Sequence, residues 1–408
     1  MRLLILTQYY PPETGAAQNR LHELAVRLKK LGVEVKVVTA MPNYPHMKIY
    51  EGYRRKCRMR EEIDGIRVFR SWIYVRNSRS IIQRLLNYFS FVFTSFFAGW
   101  FRSGKSDLIL CESPPLFLGM SAFLLSKIKR AGLVFNVSDL WPESAEKLGL
   151  IKSKTLLGVS TRLEECLYRK SVLVCGQTKG IVKNISGRFP DKQVYWLPNG
   201  ANLSHYKPDQ ATTSWREEYG YGKDDFLLFY GGILGHAQGL EVILKAATRL
   251  KDRPHIKFII MGNGPLDISL KDQKQELKLE NVDFFESVSK AEMPAVLAAM
   301  DASVIPLKKL DLFKGAIPSK IFESLAMKIP ILLGVEGEAK QLFIEEGQAG
   351  LAYEPENDAA LAEKVVLLSS DPGLCKTLGN QAREYAEKYF DRDKIADEFY
   401  HELLKIKK

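Results

Sequence analysis

Residues 315–333, GAIPSKIFESLAMKIPILL, bring a proline, a serine, a lysine and a glutamate within two turns of chain. Pro318 suits the first position of a helix, where its missing N–H costs nothing. The N–H groups of Ser319, Lys320 and Ile321 would then point out of the helix end. Those donors and the helix dipole favour an anion. Lys320 adds a full cation, and Glu323, three residues on, shares its face. A carboxylate one turn from a phosphate is placed to accept hydrogen bonds from a ribose diol. Pro330 ends the turn, and residues 331–333 read as a buried strand. Together these features suggest a nucleotide diphosphate at an α/β edge. They fit equally an ordinary capped surface helix with a solvated Lys–Glu pair.

Residues 230–239, YGGILGHAQG, end a strand and open a helix. Glycines there let the backbone approach a phosphate; the alternative is a glycine-rich turn needed only for tight packing. The dinucleotide spacing G-x-G-x-x-G is absent. Gly262-Asn263-Gly264-Pro265 and Pro198-Asn199-Gly200 are further turns. In residues 139–143, DLWPE, Asp139 and Glu143 flank Trp141 and Pro142. An aspartate beside a tryptophan can act as a base or hold a sugar hydroxyl. It can equally cap a helix whose dipole Glu143 favours. His46, His205 and His236 are isolated, without metal-ligand spacing, so no metal is expected.

These residues must be positioned by a chain of 408 residues, 46% hydrophobic and 26% charged, which points to two globular domains. The five cysteines (Cys57, Cys111, Cys166, Cys175 and Cys375) form no C-x-x-C pair. That fits a reduced, cytoplasmic protein without structural disulfides or zinc. The start, MRLLILTQYYPPE, runs into prolines rather than a small-residue cleavage site and does not read as a signal peptide. Residues 1–200 hold 32 Lys and Arg against 15 Asp and Glu, a net of +17, whereas residues 201–408 hold 27 against 33, a net of −6. The first half is therefore expected to meet something anionic: nucleic acid, phospholipid or a phosphorylated substrate.

Residues 2–7 and 33–39 read as strands around a helix that Thr14 could cap, with Leu21, Leu24, Ala25 and Leu28 as its apolar stripe. This βαβ unit implies a parallel sheet. Further strands are expected at residues 66–72, 107–111, 133–137, 172–176 and 194–197, with helices over residues 116–130 and 156–170. Residues 53–60, YRRKCRMR, are the densest cationic cluster. The aromatic segment 81–101 is interrupted by Asn87, Ser90, Thr94 and Ser95. It reads as a buried or interfacial helix rather than a spanning one, burial being the expectation for the helix by itself. After a linker at residues 198–208 a second α/β pattern begins. Its strands are expected at residues 226–230, 256–261, 282–285, 302–305, 331–333 and 351–353. Residues 381–408 read as one charged amphipathic helix. In doubly wound folds ligands lie outside the carboxyl ends of the strands.

Taken in order, YYPPE, DLWPE, GGILGHAQG and PSKIFE, with the two glycine turns, resemble the retaining family-4 glycosyltransferases of GT-B fold. The likeness covers nearly the whole chain and is nearest to bacterial fucosamine-type transferases of surface polysaccharide synthesis. It implies two Rossmann-like doubly wound α/β domains facing across a cleft. Residues 1–199 would bind acceptor, residues 200–385 the nucleotide sugar, and residues 386–408 would form a helix returning to the first domain. It places Gly231, Gly232, Gly235, His236, Gln238, Gly262, Gly264, Ser319 and Glu323 at the donor, with Glu323 on the ribose. Glu13 and Gly15 fall near the acceptor, although Glu13 can equally be a surface residue. Family members carry an arginine and a lysine where this chain has Gly232 and Gln238, which leaves Lys320 to neutralise the diphosphate. The first acid of the family's glutamate pair is replaced by Gly315.

The implied activity is transfer of a sugar such as N-acetyl-L-fucosamine from a UDP-sugar to a polyprenyl-diphosphate-linked saccharide, as in O-antigen or capsule synthesis. The reaction would retain configuration and use no metal or further cofactor. Asp139, Lys320 and Glu13 would be the catalytic residues. The protein would work peripherally at the inner face of the cytoplasmic membrane, docked on anionic lipid by its basic half. One rival reading is a non-hydrolysing UDP-sugar 2-epimerase of similar architecture. Another is a nucleic-acid-binding protein, which the lack of an aromatic-basic recognition motif disfavours.

Overall fold

A computed structural model of the chain describes residues 1–13, 15–44, 47–76, 81–147, 153–210 and 214–406. Thr14, the expected helix cap, and His46 lie outside the described residues. The chain divides into two compact units, Met1–Asn199 with Arg392–Lys408, and Gly200–Asp391.

In the first unit the strands are β1 (Arg2–Leu6), β2 (Glu34–Ala40), β3 (Arg58–Ile63), β4 (Ile66–Ser71), β5 (Leu108–Ser113), β6 (Gly132–Val137), β7 (Leu173–Gly176) and β8 (Val194–Trp196). They lie in the order β3-β4-β2-β1-β5-β6-β7-β8. The central strands are continuous apolar runs because helices cover both faces. On one face α1 (Ala16–Lys30) sets Leu21, Leu24 and Leu28 into the core beside Ile395, Phe399 and Leu403 of the C-terminal helix. The other face carries α2 (Ile81–Arg102) and α3 (Leu118–Lys129), through Phe91, Ala98, Leu118 and Leu125.

The sheet is mixed rather than wholly parallel, because β3 runs antiparallel to β4. In the sequence this stretch stands out only by its cations. Asp64 and Gly65 both take positive φ, 48° and 74°, the turn that closes a tight hairpin. Along β3 the exposed Arg58, Arg60 and Glu62 alternate with the half-buried Met59, Glu61 and Ile63, as suits an edge strand that needs no second partner.

In the second unit β9 (Phe226–Gly231), β10 (Ile256–Met261), β11 (Val282–Phe285), β12 (Ala302–Pro306), β13 (Ile331–Gly334) and β14 (Gly350–Ala352) lie in the order β11-β10-β9-β12-β13-β14. Each pair is parallel. The order reverses between β9 and β12, the place where a doubly wound sheet leaves a crevice at its carboxyl edge.

The tail is two helices, not the single one expected. Pro372–Tyr389 belongs to the second unit and Arg392–Ile406 to the first. Phe390 makes the break. Its ring is buried 5.2 Å from Phe322 and 5.3 Å from Phe343, and its carbonyl accepts the Ala201 N–H at 2.8 Å. The last helix is then tied to α1 by Arg27–Asp393 (2.6 Å) and Arg392–Glu23 (2.6 Å). Phe399 is fully buried there, so Phe399→Ala should destabilise the first unit by about 3–5 kcal/mol in chemical denaturation. A loss under about 1 kcal/mol would show the helix to be an appendage rather than part of that core.

Candidate functional site

At the carboxyl edge of the second sheet, three loops are drawn together by their backbones. Gly232 N–H donates to Met261 O (2.9 Å), Leu234 N–H to Asn263 O (3.0 Å), and Leu266 N–H to Leu234 O (3.0 Å). Lys308, after β12, donates its N–H to Ala237 O at 3.0 Å, across the point where strand order reverses. A Cβ at Gly262 would stand 1.9 Å from Gly232 O, and one at Gly264 would stand 2.4 Å from Leu234 O. Gly232 and Gly262 also take φ of +136° and +149°, which side chains rarely adopt. The tight-packing alternative for these glycines is therefore part of the answer: they let two loops touch.

The same contact makes room for Lys320. Its ammonium sits 3.8 Å from the centroid of the Tyr230 ring, and a Cβ on Gly232 would lie 3.2 Å from its Nζ. Tyr230 is held by its own hydroxyl, which donates to Ile233 O at 2.8 Å. An ammonium over an aromatic face is attracted by the ring quadrupole. Burial nonetheless dominates and pulls Lys320 down to about 7, while Glu323 one turn on pulls the other way.

The helix itself differs from expectation. It spans Lys320–Ala326, with Ser319 as a cap that makes no side-chain hydrogen bond. Pro318 stands before the cap, and the Ile321 N–H is taken by Pro318 O at 3.2 Å. One of the three N–H groups expected to face an anion is therefore already engaged. The structure thus gathers Gly231, Gly232, Gly235, His236, Gln238, Gly262, Gly264, Ser319, Lys320 and Glu323 onto the carboxyl edge of one sheet. His236 is exposed, and Gly315 is open, with nothing within 4 Å of a Cβ built on it.

In the first unit Glu13 is buried with both carboxylate oxygens engaged. Tyr10 N–H donates at 3.0 Å, Asn43 N–H at 2.7 Å and Tyr44 N–H at 2.9 Å. Burial pushes this carboxyl up, and the three N–H groups and Arg70 oppose it. Glu13 is thus not a surface residue; it ties the loop after β1 to the loop after β2. Arg70, fully buried on β4, braces the same loops by donating to Ala40 O at 3.0 Å and to Pro11 O, and it pairs with Glu61. Gly15 precedes α1 with an extended φ of 169°, so no strain attaches to it.

Asp139 is exposed after β6, and its carboxylate accepts the Ser144 hydroxyl at 2.7 Å. The short helix Glu143–Lys147 begins four residues later, so Asp139 meets a first-turn hydroxyl instead of serving as the cap residue. Beneath it lies a buried polar network that no local motif announces. Arg20 donates to Glu112 at 2.6 Å and to Ser138 at 2.7 Å, while Glu112 also accepts from Ser138 and from Asn136. An acid closing the apolar run LILCES and a cation inside VFRS were the available signals for Glu112 and Arg70. Among the described residues no three His, Cys, Asp or Glu side chains gather as a metal site.

Two doubly wound α/β units, the second with glycine loops, a lysine and a glutamate at its switch point, define a protein of GT-B architecture. Residues 15–200 match the glycosyl transferase 4-like domain and residues 211–385 match glycosyl transferases group 1. The chain is a glycosyltransferase of GT-B fold, matched by a family-4-like domain over its first unit and by the group 1 domain over its second. It is 28% identical to a putative colanic acid biosynthesis glycosyl transferase of Escherichia coli, WcaI, over 99% of this chain and 100% of that one. Sucrose-phosphate synthase from Thermosynechococcus elongatus superposes with a TM-score of 0.75 at 18% identity, covering 99% of both chains. Anabaena Alr3699/HepE, solved with UDP and glucose, superposes with a TM-score of 0.72 at 19% identity, covering 99% of this chain and all of that one.

The Lys320 environment sets a measurable signature. In the unfolded chain a lysine titrates near about 10.4, so from pH 7 to about 10 the unfolded state binds more protons. This single group therefore makes the fold more stable as pH rises through that window. Methyl-labelled lysine NMR should show one resonance with a midpoint near 7, absent from Lys320→Met. A lowest midpoint above about 9 would show that Lys320 is hydrated.

Proposed function

We propose that this glycosyltransferase moves a sugar from a UDP-sugar to a polyprenyl-diphosphate-linked saccharide during surface polysaccharide assembly, with retention of configuration. The observation that carries the reading is the Lys320 ammonium, held over Tyr230 against the bare Cα of Gly232. As the glycosidic bond breaks, charge grows on the departing diphosphate. A fixed cation there stabilises the transition state more than the bound donor. A lysine drawn down to about 7 becomes fully charged when the diphosphate arrives, since the new anion raises it again. Glu323 takes the ribose hydroxyls, and the backbone of Gly231, Gly232 and Gly235 lies along the phosphates, with His236 and Gln238 at their edge. Gly262 and Gly264 serve by shaping that loop.

On the acceptor side, Asp139 holds or deprotonates the attacking sugar hydroxyl. Glu13 acts by fixing the loop that begins at Tyr9, because both its oxygens are already engaged. The donor is a 6-deoxy amino sugar of the N-acetyl-L-fucosamine kind, a choice that rests on the resemblance of the motifs alone. The colanic acid transferase of similar sequence supports the polysaccharide setting, and the UDP and glucose on the Anabaena protein support the donor class. Both matched families are transferases, which favours this reading over a UDP-sugar 2-epimerase or a nucleic-acid-binding protein. The protein works at the inner face of the cytoplasmic membrane; among the described residues no helix is long and apolar enough to cross it.

The primary experiment is a screen of nucleotide sugars for thermal stabilisation, followed by turnover of the best donor with a lipid-linked acceptor. Failure of every UDP-sugar to stabilise the protein overturns the donor assignment. Glu323→Gln should weaken UDP binding in calorimetry by roughly 1.5–3 kcal/mol through loss of charge-assisted hydrogen bonds. Equal affinity in a folded variant would remove Glu323 from the site. Asp139→Asn should leave UDP affinity unchanged while lowering transfer by about 100-fold or more, as expected for loss of a base. Near-normal transfer would leave Asp139 only its bond to Ser144.

A further inference from the structure

The α2 helix breaks the pattern of a soluble α/β domain. Its buried side, Asn87, Phe91, Ser95 and Ala98, packs on the sheet and on α3. The opposite side should carry charge. Instead, every exposed side chain described on α2 is apolar. Ile82, Leu86, Phe89, Phe93 and Phe97 recur every three or four residues, and Trp100 and Phe101 close the row. Phe93 and Phe101 are 67% and 68% exposed. From Ile82 to Phe101 the stripe runs about 28 Å.

The stripe continues onto α3. The two helices run side by side, Ser95 Oγ meeting Ser121 Oγ at 3.1 Å and Gly99 lying against Leu125. Met120, Leu124 and Ile128 of α3 are exposed next to that seam. Cations border this surface. Arg102 ends α2 and donates to Met59 O at 3.0 Å, which sets the exposed Arg58 and Arg60 beside the end of the stripe. Lys127 and Arg130 are exposed on the α3 side.

We infer that the joint outer face of α2 and α3 lies in the interfacial layer of an anionic bilayer, with its apolar row among the upper acyl chains and the bordering arginines and lysines on the headgroups. This rests on, and refines, the lipid-linked acceptor proposed above. An apolar face with an aromatic row and a cationic border is what a helix lying in a membrane plane requires. Water on one side alone does not account for so many exposed rings. The net charge of +17 over residues 1–200 supplies the long-range attraction. The basic cluster is then the border of the docking surface, and the aromatic helix, which by itself was expected to be buried, is its centre.

Sedimentation of the full-length protein with phosphatidylglycerol-containing vesicles tests this. Wild type should bind at about 0.1 M salt and keep a substantial bound fraction at about 1 M, where screening has removed the electrostatic part. The double variant Phe93→Asp with Trp100→Asp should bind at least about tenfold more weakly at both salt levels. The double variant Arg58→Glu with Arg60→Glu should lose only the low-salt component. All of these proteins should keep wild-type UDP affinity, which checks their folding. Brominated acyl chains should quench wild-type tryptophan fluorescence more than that of Trp100→Phe. Wild type that fails to bind vesicles, or an aspartate variant that binds as wild type does, overturns the inference. So does sedimentation velocity showing a wild-type dimer that these aspartates dissociate, since the face would then belong to a second copy. Transfer activity is not used, so vesicle binding without turnover counts against the proposed reaction and not against this surface.

Discussion

A methyl group on Gly262 would stand 1.9 Å from the carbonyl oxygen of Gly232, and the carboxyl edge of the second sheet depends on the absence of that atom. With both residues glycine, the loops after β9 and β10 close on each other through main-chain hydrogen bonds. The closure leaves a bare Cα facing the end of Lys320, and the ring of Tyr230 beneath it. A lysine is thereby kept partly out of water at the point where strand order reverses. Its lowered proton affinity follows from that placement. The glycine-rich stretch that reads as a phosphate cradle is, in the folded protein, first a device for bringing one backbone against another.

The first unit organises its polar groups by the opposite means. Its loops are braced by buried charge, with Glu13 collecting three N–H donors, Arg70 reaching two carbonyls, and Arg20 paired with Glu112 beneath Ser138. Removing one partner from such a network would leave the other buried and unpaired, a large penalty. The loops carrying Tyr9 and Asp139 are thus held without glycine contacts of the kind found in the second unit. In the proposed reaction this suits a division of labour: the second unit places a cation against a leaving diphosphate, and the first holds a hydroxyl in place.

The apolar face of α2 works against solubility. A sheet of this size needs cover on both sides, and Phe91 and Ala98 provide it from one side of the helix. On the other side Phe89 still reaches Phe117, at 4.8 Å between ring centroids, but Phe93 and Phe101 stay about two-thirds exposed among the described residues. The proposed lipid contact would give those exposed rings a partner.

Much of the architecture was legible in the chain. Parallel strands buried on both faces are continuous apolar runs, so β1, β2, β5, β6, β9, β10 and β13 can be read directly, with prolines and glycines marking their ends. Edge strand β3 was not, because four charges in six residues of a half-exposed strand resemble a solvated loop. The tail break at Phe390 was not either, because helical periodicity continues through it and only burial against Phe322 and Phe343 stops it. Local spacing brought Lys320 and Glu323 onto one face, since neighbours on a helix are set by the 3.6-residue repeat. The partners of Lys320, Tyr230 and Gly232, lie about ninety positions away, as do those of Arg20 and Glu112 from each other. Contacts of that range carry no periodic signal. They are decided when strands β9, β10 and β12 come side by side, and when the turn of α2 on the sheet settles which aromatic residues enter the core and which remain outside.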